Sequence, residues 1–94
     1  MIVVWTPRAL HHLVQLRAYI ARDRPEAAST LAERLLTAAE RLADMPNLGR
    51  PGRVSGTREF VVPGTPYLIV YRAKADRIEI VAVFHGRQKW PDTL

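Results

Sequence analysis

The chain has 94 residues, 48% hydrophobic and 24% charged, which suits one domain, residues 1–94, near the lower limit for a self-sufficient core. There is no cysteine, so a disulfide framework and a thiolate nucleophile are excluded. With His11 and His12 far in sequence from His85, neither a metal site nor a cofactor is expected. Of the net charge of +5, residues 1–49 contribute +1 (six Arg, five acids) and residues 50–94 contribute +4 (eight Lys or Arg, four acids).

The first segment, "IVVW" (Ile2–Trp5), is a short β-branched run that reads as a strand. Thr6 is a good N-cap and Pro7 suits the first helical position, where its missing N–H costs nothing. Ala9, Leu13, Leu16 and Ile20 then recur at helical spacing, which leaves His11 and His12 to read as solvated helix surface. "RDRP" ends this helix, and a second starts at Pro25 with Glu26 in its positive first turn. Ala28, Leu31, Leu35, Ala38, Leu42 and Met45 form its apolar stripe, and Pro46 stops it. So short a break makes the two helices an antiparallel hairpin.

"PNLGRPGRVSG" (Pro46–Gly56) is rich in Gly and Pro and reads as a loop. Three strand-like runs follow, Thr57–Val62, Tyr67–Arg72 and Arg77–Phe84, joined by the turn-like "PGTP" and "AKAD", so they form an antiparallel meander. In the middle run Tyr67, Ile69 and Tyr71 point one way and Leu68, Val70 and Arg72 the other. The helix hairpin covers one face, and the other is expected to leave an apolar patch beside basic residues, a feature of protein-binding surfaces. Arg72 is also placed to pair with Glu59 or Glu79 across the sheet. No apolar run reaches the length of about 18 residues needed to span a membrane, and no signal peptide is visible, so no membrane association and a cytoplasmic location are expected.

The last run closes on "VFHGRQKWP", which gathers His85, Arg87, Lys89 and Trp90 with no acid among them. A basic second half with such a terminus points to a polyanionic partner, nucleic acid or an acidic peptide. Trp90 beside Pro91 is equally suited to pinning the tail to the core.

The β-α-α-β-β-β order, with "LGRPGRVSGTREFVV", "PYLIVYR" and "IEIVAVFHGRQKWP" in sequence, resembles the RelE/ParE superfamily of bacterial toxins over nearly the whole chain. The resemblance implies an α+β fold in which the N-terminal strand and helix hairpin pack on a mainly antiparallel four-stranded sheet. It also implies a toxin silenced by a cognate acidic antitoxin, with Leu68, Val70 and Arg72 in the antitoxin contact. Two modes of growth arrest are open, ParE-like inhibition of DNA gyrase or RelE-like cleavage of mRNA on the ribosome, and a catalytically inactive relative acting only as a complex subunit is the further alternative. For either target, Arg50, Arg53, Arg58, Arg87, Lys89 and Trp90 are the expected contacts. RNA cleavage without metal needs a proton-transfer group and a held phosphate. His85 would move the proton, with Arg72 and Arg87 on the phosphate. Two features depart from the RelE-like pattern: the Pro46–Gly56 loop has arginines rather than a lysine cluster, and Trp90 stands where a tyrosine is common.

Overall fold

A computed structural model describes residues 1–91 and 94. Thr6 fixes where the first strand, β1 (Ile2–Trp5), gives way to helix α1 (Pro7–Ala21). Its Oγ1 accepts the Ala9 N–H at 3.2 Å and donates to the Ile80 carbonyl at 2.8 Å, so one hydroxyl caps the helix and ties it to the sheet. Helix α2 (Pro25–Asp44) also begins on a proline, with Glu26 in its first turn. It buries Ala28, Leu35, Ala38, Ala39 and Leu42; Met45, at the end of the predicted stripe, is the C-cap residue and is exposed.

The remaining strands are β2 (Arg50–Pro51), β3 (Arg58–Val61), β4 (Tyr67–Ala73) and β5 (Arg77–His85). Together with β1 they make one five-stranded mixed sheet in the order β1-β5-β4-β3-β2, in which only the β1–β5 pair is parallel. The expected four-stranded sheet therefore gains an edge strand from within the predicted loop. A two-residue strand has no periodicity to read. Pro51 can occupy it because an edge position leaves a missing N–H without consequence.

The sheet separates two cores. On the helix side, Ile69, Tyr71, Ile78, Ile80 and Val83 pack with Leu35, Ala38, Ala39 and Leu42. On the other side, Leu68, Val70, Ala82 and Phe84 form a second cluster, against which Val81, Trp90 and Leu94 pack. β5 serves both because Val70 pairs with Ala82 while Tyr71 pairs with Ile80, so Val81 is a bulge residue that shifts the alternation by one.

Tyr71 is fully buried, and its hydroxyl accepts the Gly49 N–H at 2.9 Å and donates to the Pro46 carbonyl at 2.7 Å. That pair of bonds folds the segment after α2 against the sheet and delivers Arg50 to the β2 position. A Cβ at Gly49 would lie 2.8 Å from the Tyr71 ring and 2.9 Å from the Glu59 carbonyl, so the approach requires glycine.

Candidate functional site

The sheet face opposite the helices carries most of the residues singled out from the sequence. Cross-strand register places Arg50, Glu59, Val70 and Ala82 in one row, with Arg72 opposite Glu79 at one end and Leu68 opposite Phe84 towards the other. This face is not an open apolar patch. Leu68 is 4% exposed and Val70 0%, because Trp90 and Leu94 of the C-terminal tail lie over them. The sequence expectation of an uncovered surface is corrected by this packing: the tail itself supplies the apolar cover.

Glu59 organises the basic rim. It is 3% exposed, and its carboxylate accepts the Arg53 backbone N–H at 2.8 Å. It also pairs with the Arg53 guanidinium at 3.3 Å and with Arg50 at 3.2 Å. Burial works to raise its pKa, but the Arg53 N–H, the Arg53 guanidinium and Arg50 outweigh that effect, and the net direction is down. Arg53 in turn stacks its guanidinium on Trp90, 3.8 Å from the ring centroid, and Trp90 meets Phe84 at 4.7 Å between centroids. Carboxylate, guanidinium, indole and phenyl thus run in series from β3 to β5.

Arg72 pairs with neither acid proposed for it. Glu59 is taken by Arg50 and Arg53, Glu79 pairs with Arg77 at 3.0 Å, and Arg72 instead donates to the Ser55 carbonyl at 3.3 Å. Arg58 lies on the other side of the sheet. It is opposite Tyr71 in the ladder, and it donates to the Gly49 carbonyl at 2.7 Å.

His85 lies at the far end. It pairs with Tyr67, and its ring meets the Tyr67 ring edge-on at 5.3 Å. Five residue steps along β4 separate the Tyr67–His85 pair from the Arg72–Glu79 pair, about 17 Å at about 3.3 Å per step. The Arg87 N–H donates to His85 Nδ1 at 3.1 Å, so Arg87 and Lys89 follow in an exposed turn at that same end. The structure brings His85 and Arg87 together and leaves Arg72 and Arg58 at the opposite end of the sheet. Among the described residues no group of three or more His, Asp or Glu is placed to hold a metal ion.

The roles of two residues escaped the sequence, which offered Glu59 only as a partner for Arg72 and His12 only as solvated helix surface. Glu59 is the one acid between Asp44 and Asp76, in a stretch with Arg50, Arg53, Arg58 and Arg72, and that isolation was the available signal. His12 gave none. It is half-buried rather than solvated: Nδ1 accepts the Val83 N–H at 3.2 Å, and its ring packs on Phe84 at 5.3 Å. Beyond Ile80, where β1 ends, α1 thus supplies an acceptor to the edge of β5. Burial, then the charges of Arg8 and His11, lowers the His12 pKa.

A family model described as the ParE toxin of the parDE type II toxin–antitoxin system matches residues 3–90. The chain is 47% identical over 90 residues to a putative toxin, Y4kP, of Sinorhizobium fredii, covering 96% of this chain and 93% of the relative. It is 42% identical over 84 residues to toxin RelE2 of Caulobacter vibrioides, covering 89% and 93% respectively. Among solved structures, a chain of the chromosomal ParDE toxin–antitoxin system from P. aeruginosa superposes with a TM-score of 0.81 at 23% identity, covering 90% of this chain and 95% of that one. A chain of the RelBE2 toxin–antitoxin complex from Mycobacterium tuberculosis gives 0.63 at 26% identity, covering 89% and 95%.

Proposed function

We propose that this chain, which belongs to the ParE toxin family and is the toxin of a type II toxin–antitoxin system, arrests growth by binding and inhibiting DNA gyrase rather than by cutting RNA. The observation that carries the choice is the separation of Arg72 from His85. Metal-free RNA cleavage needs the proton-transfer group and the phosphate-holding cations within hydrogen-bond reach of one phosphodiester. Here Arg72 stands about 17 Å from His85 along the sheet and on the opposite face, which leaves Arg87 as the one expected phosphate contact beside the imidazole. Arg50 and Arg53 are committed to Glu59, and Trp90 is committed to Phe84 and Arg53.

What the surface does offer is a recognition element. Arg87 and Lys89 are exposed in the turn after β5, and neither makes an ion pair among the described residues. Rigid strands hold that turn, which suits docking on an acidic protein surface.

An acidic antitoxin segment is the second partner in this reading, as the toxin–antitoxin assemblies of the structural neighbours suggest. To reach Leu68 and Val70 it must first displace Trp90, whereas the exposed Leu10 and Val14 of α1 are directly available. No acid lies on α1, which carries Arg8 and Arg17.

The test is a pair of assays on the purified chain: DNA supercoiling by gyrase, and cell-free translation with mapping of mRNA ends. Inhibited supercoiling with intact mRNA is the expected result. Ribosome-dependent mRNA cuts with unimpaired supercoiling would sink the gyrase reading.

A further inference from the structure

Between α1 and the strand ends on the helix side of the sheet lies a groove of about 340 Å³. His12, Gln15 and Tyr19 line it from the helix; Tyr67, His85 and Gln88 line it from the sheet and the following turn. None of its lining residues is Asp, Glu, Lys or Arg. Its polar atoms are largely uncommitted within the described residues. His12 and His85 each use Nδ1 internally and keep Nε2. Gln88 uses its Oε1 on the His85 N–H and keeps its NH2.

We infer that this groove binds a nucleobase whose phosphate reaches Arg87 and Lys89. An uncharged lining disfavours a ligand with a charged body, because a buried charge without a partner is costly. Aromatic side chains offer planar faces to a heterocycle, and the amide and imidazole groups match the donors and acceptors of a base edge. The volume lies at the low end of the range for small-ligand sites, about 300 Å³ upward. The two cations are exposed, lie two and four residues beyond His85, and flank Gln88 of the lining, so they are the cations nearest in sequence to the groove that a phosphate could use. Burial, then Tyr19, raises the Tyr67 pKa, so Tyr67 stays a neutral phenol that can donate to the base. This activity goes beyond gyrase inhibition and uses the helix side of the sheet, away from the tail-covered face.

The base can come from a free nucleotide or from a single strand, and the experiment separates these sources. The full-length chain is titrated with AMP, with adenosine and with a short single-stranded oligoadenylate, while the aromatic ring signals are followed by NMR. Saturable shifts of the His12, Tyr19, Tyr67 and His85 rings are expected at about 1 mM AMP or below. Tyr19 is 70% exposed, so Tyr19→Ala leaves the fold intact, and it should weaken AMP binding about tenfold through lost stacking. Arg87→Ala should weaken AMP and leave adenosine unchanged. Tighter binding of the oligonucleotide than of AMP supports the inference with a strand as the source; equal or weaker binding supports it with a free nucleotide. Shifts confined to Trp90, shifts undiminished in Tyr19→Ala, or no saturable shift with any of the three would each overturn it.

Discussion

Arg53 lies over Trp90, its guanidinium carbon 3.8 Å from the ring centroid, and Glu59 holds the same guanidinium at 3.3 Å. Loop, sheet and tail are therefore linked through one side chain. Arg53→Ala should lower stability modestly, by about 0.5–1 kcal/mol for the lost cation–π contact. It should also expose Trp90. In a Trp5→Phe background, a red-shifted and more quenchable Trp90 emission checks the exposure, and unchanged emission would show that Phe84 alone holds the indole.

Glu59 gives the chain an acid-sensitive element. Its pKa is lowered in the folded protein, so the folded state binds fewer protons than the unfolded chain over that range. The stabilisation is fully present above the ordinary carboxylate pKa, about 4.3, and is lost as pH falls from there through the lowered value. Glu59→Gln should cost about 1–3 kcal/mol at neutral pH, since hydrogen bonds to a charged acceptor are replaced by weaker ones. It should also flatten the stability profile below pH about 4.3. Denaturant melts across that range, on both proteins, provide the measurement.

His12 acts at milder acidity. Its pKa is lowered by burial and by the Arg8 and His11 charges, so protons bind the unfolded chain first. Its contribution is present above the ordinary histidine pKa of about 6.5 and lost as pH falls below it. Protonation also removes the acceptor for the Val83 N–H. His12→Gln should reduce the slope of stability between pH about 7 and 5. If the variant kept the parent's slope, the titration would belong to another group.

Toxicity should follow the exposed turn rather than the imidazole. Arg87→Ala is expected to lower growth inhibition about tenfold or more, in the range of truncating a hot-spot arginine, while His11→Ala at matched soluble levels is not. His85→Gln keeps hydrogen-bonding capacity and loses proton transfer. It should therefore retain toxicity, whereas an essential acid or base would cost about 10²–10⁴ in rate. Survival of cells expressing folded His85→Gln would return the RNase reading to consideration.

Local chemistry determined much of this protein from sequence alone. Thr6-Pro7 and Pro25 mark the helix starts, Pro46 the end of α2, and the short turns "PGTP" and "AKAD" the antiparallel meander, because caps, prolines and turns act within a few residues. The family resemblance likewise rested on ordered segments that the chain does contain. Tertiary structure decided the rest. Strict alternation would set Ile78, Ile80, Ala82 and Phe84 on one face; the bulge at Val81 sends the first two to the helix core and the last two beneath the tail. That shift, the burial of Leu68 and Val70 by Trp90, the parting of Arg72 from His85 and the turn of His12 towards β5 all depend on contacts between residues far apart in the chain. A period-two pattern fixes side-chain direction only while pairing stays regular, and one unpaired residue reverses it for everything that follows.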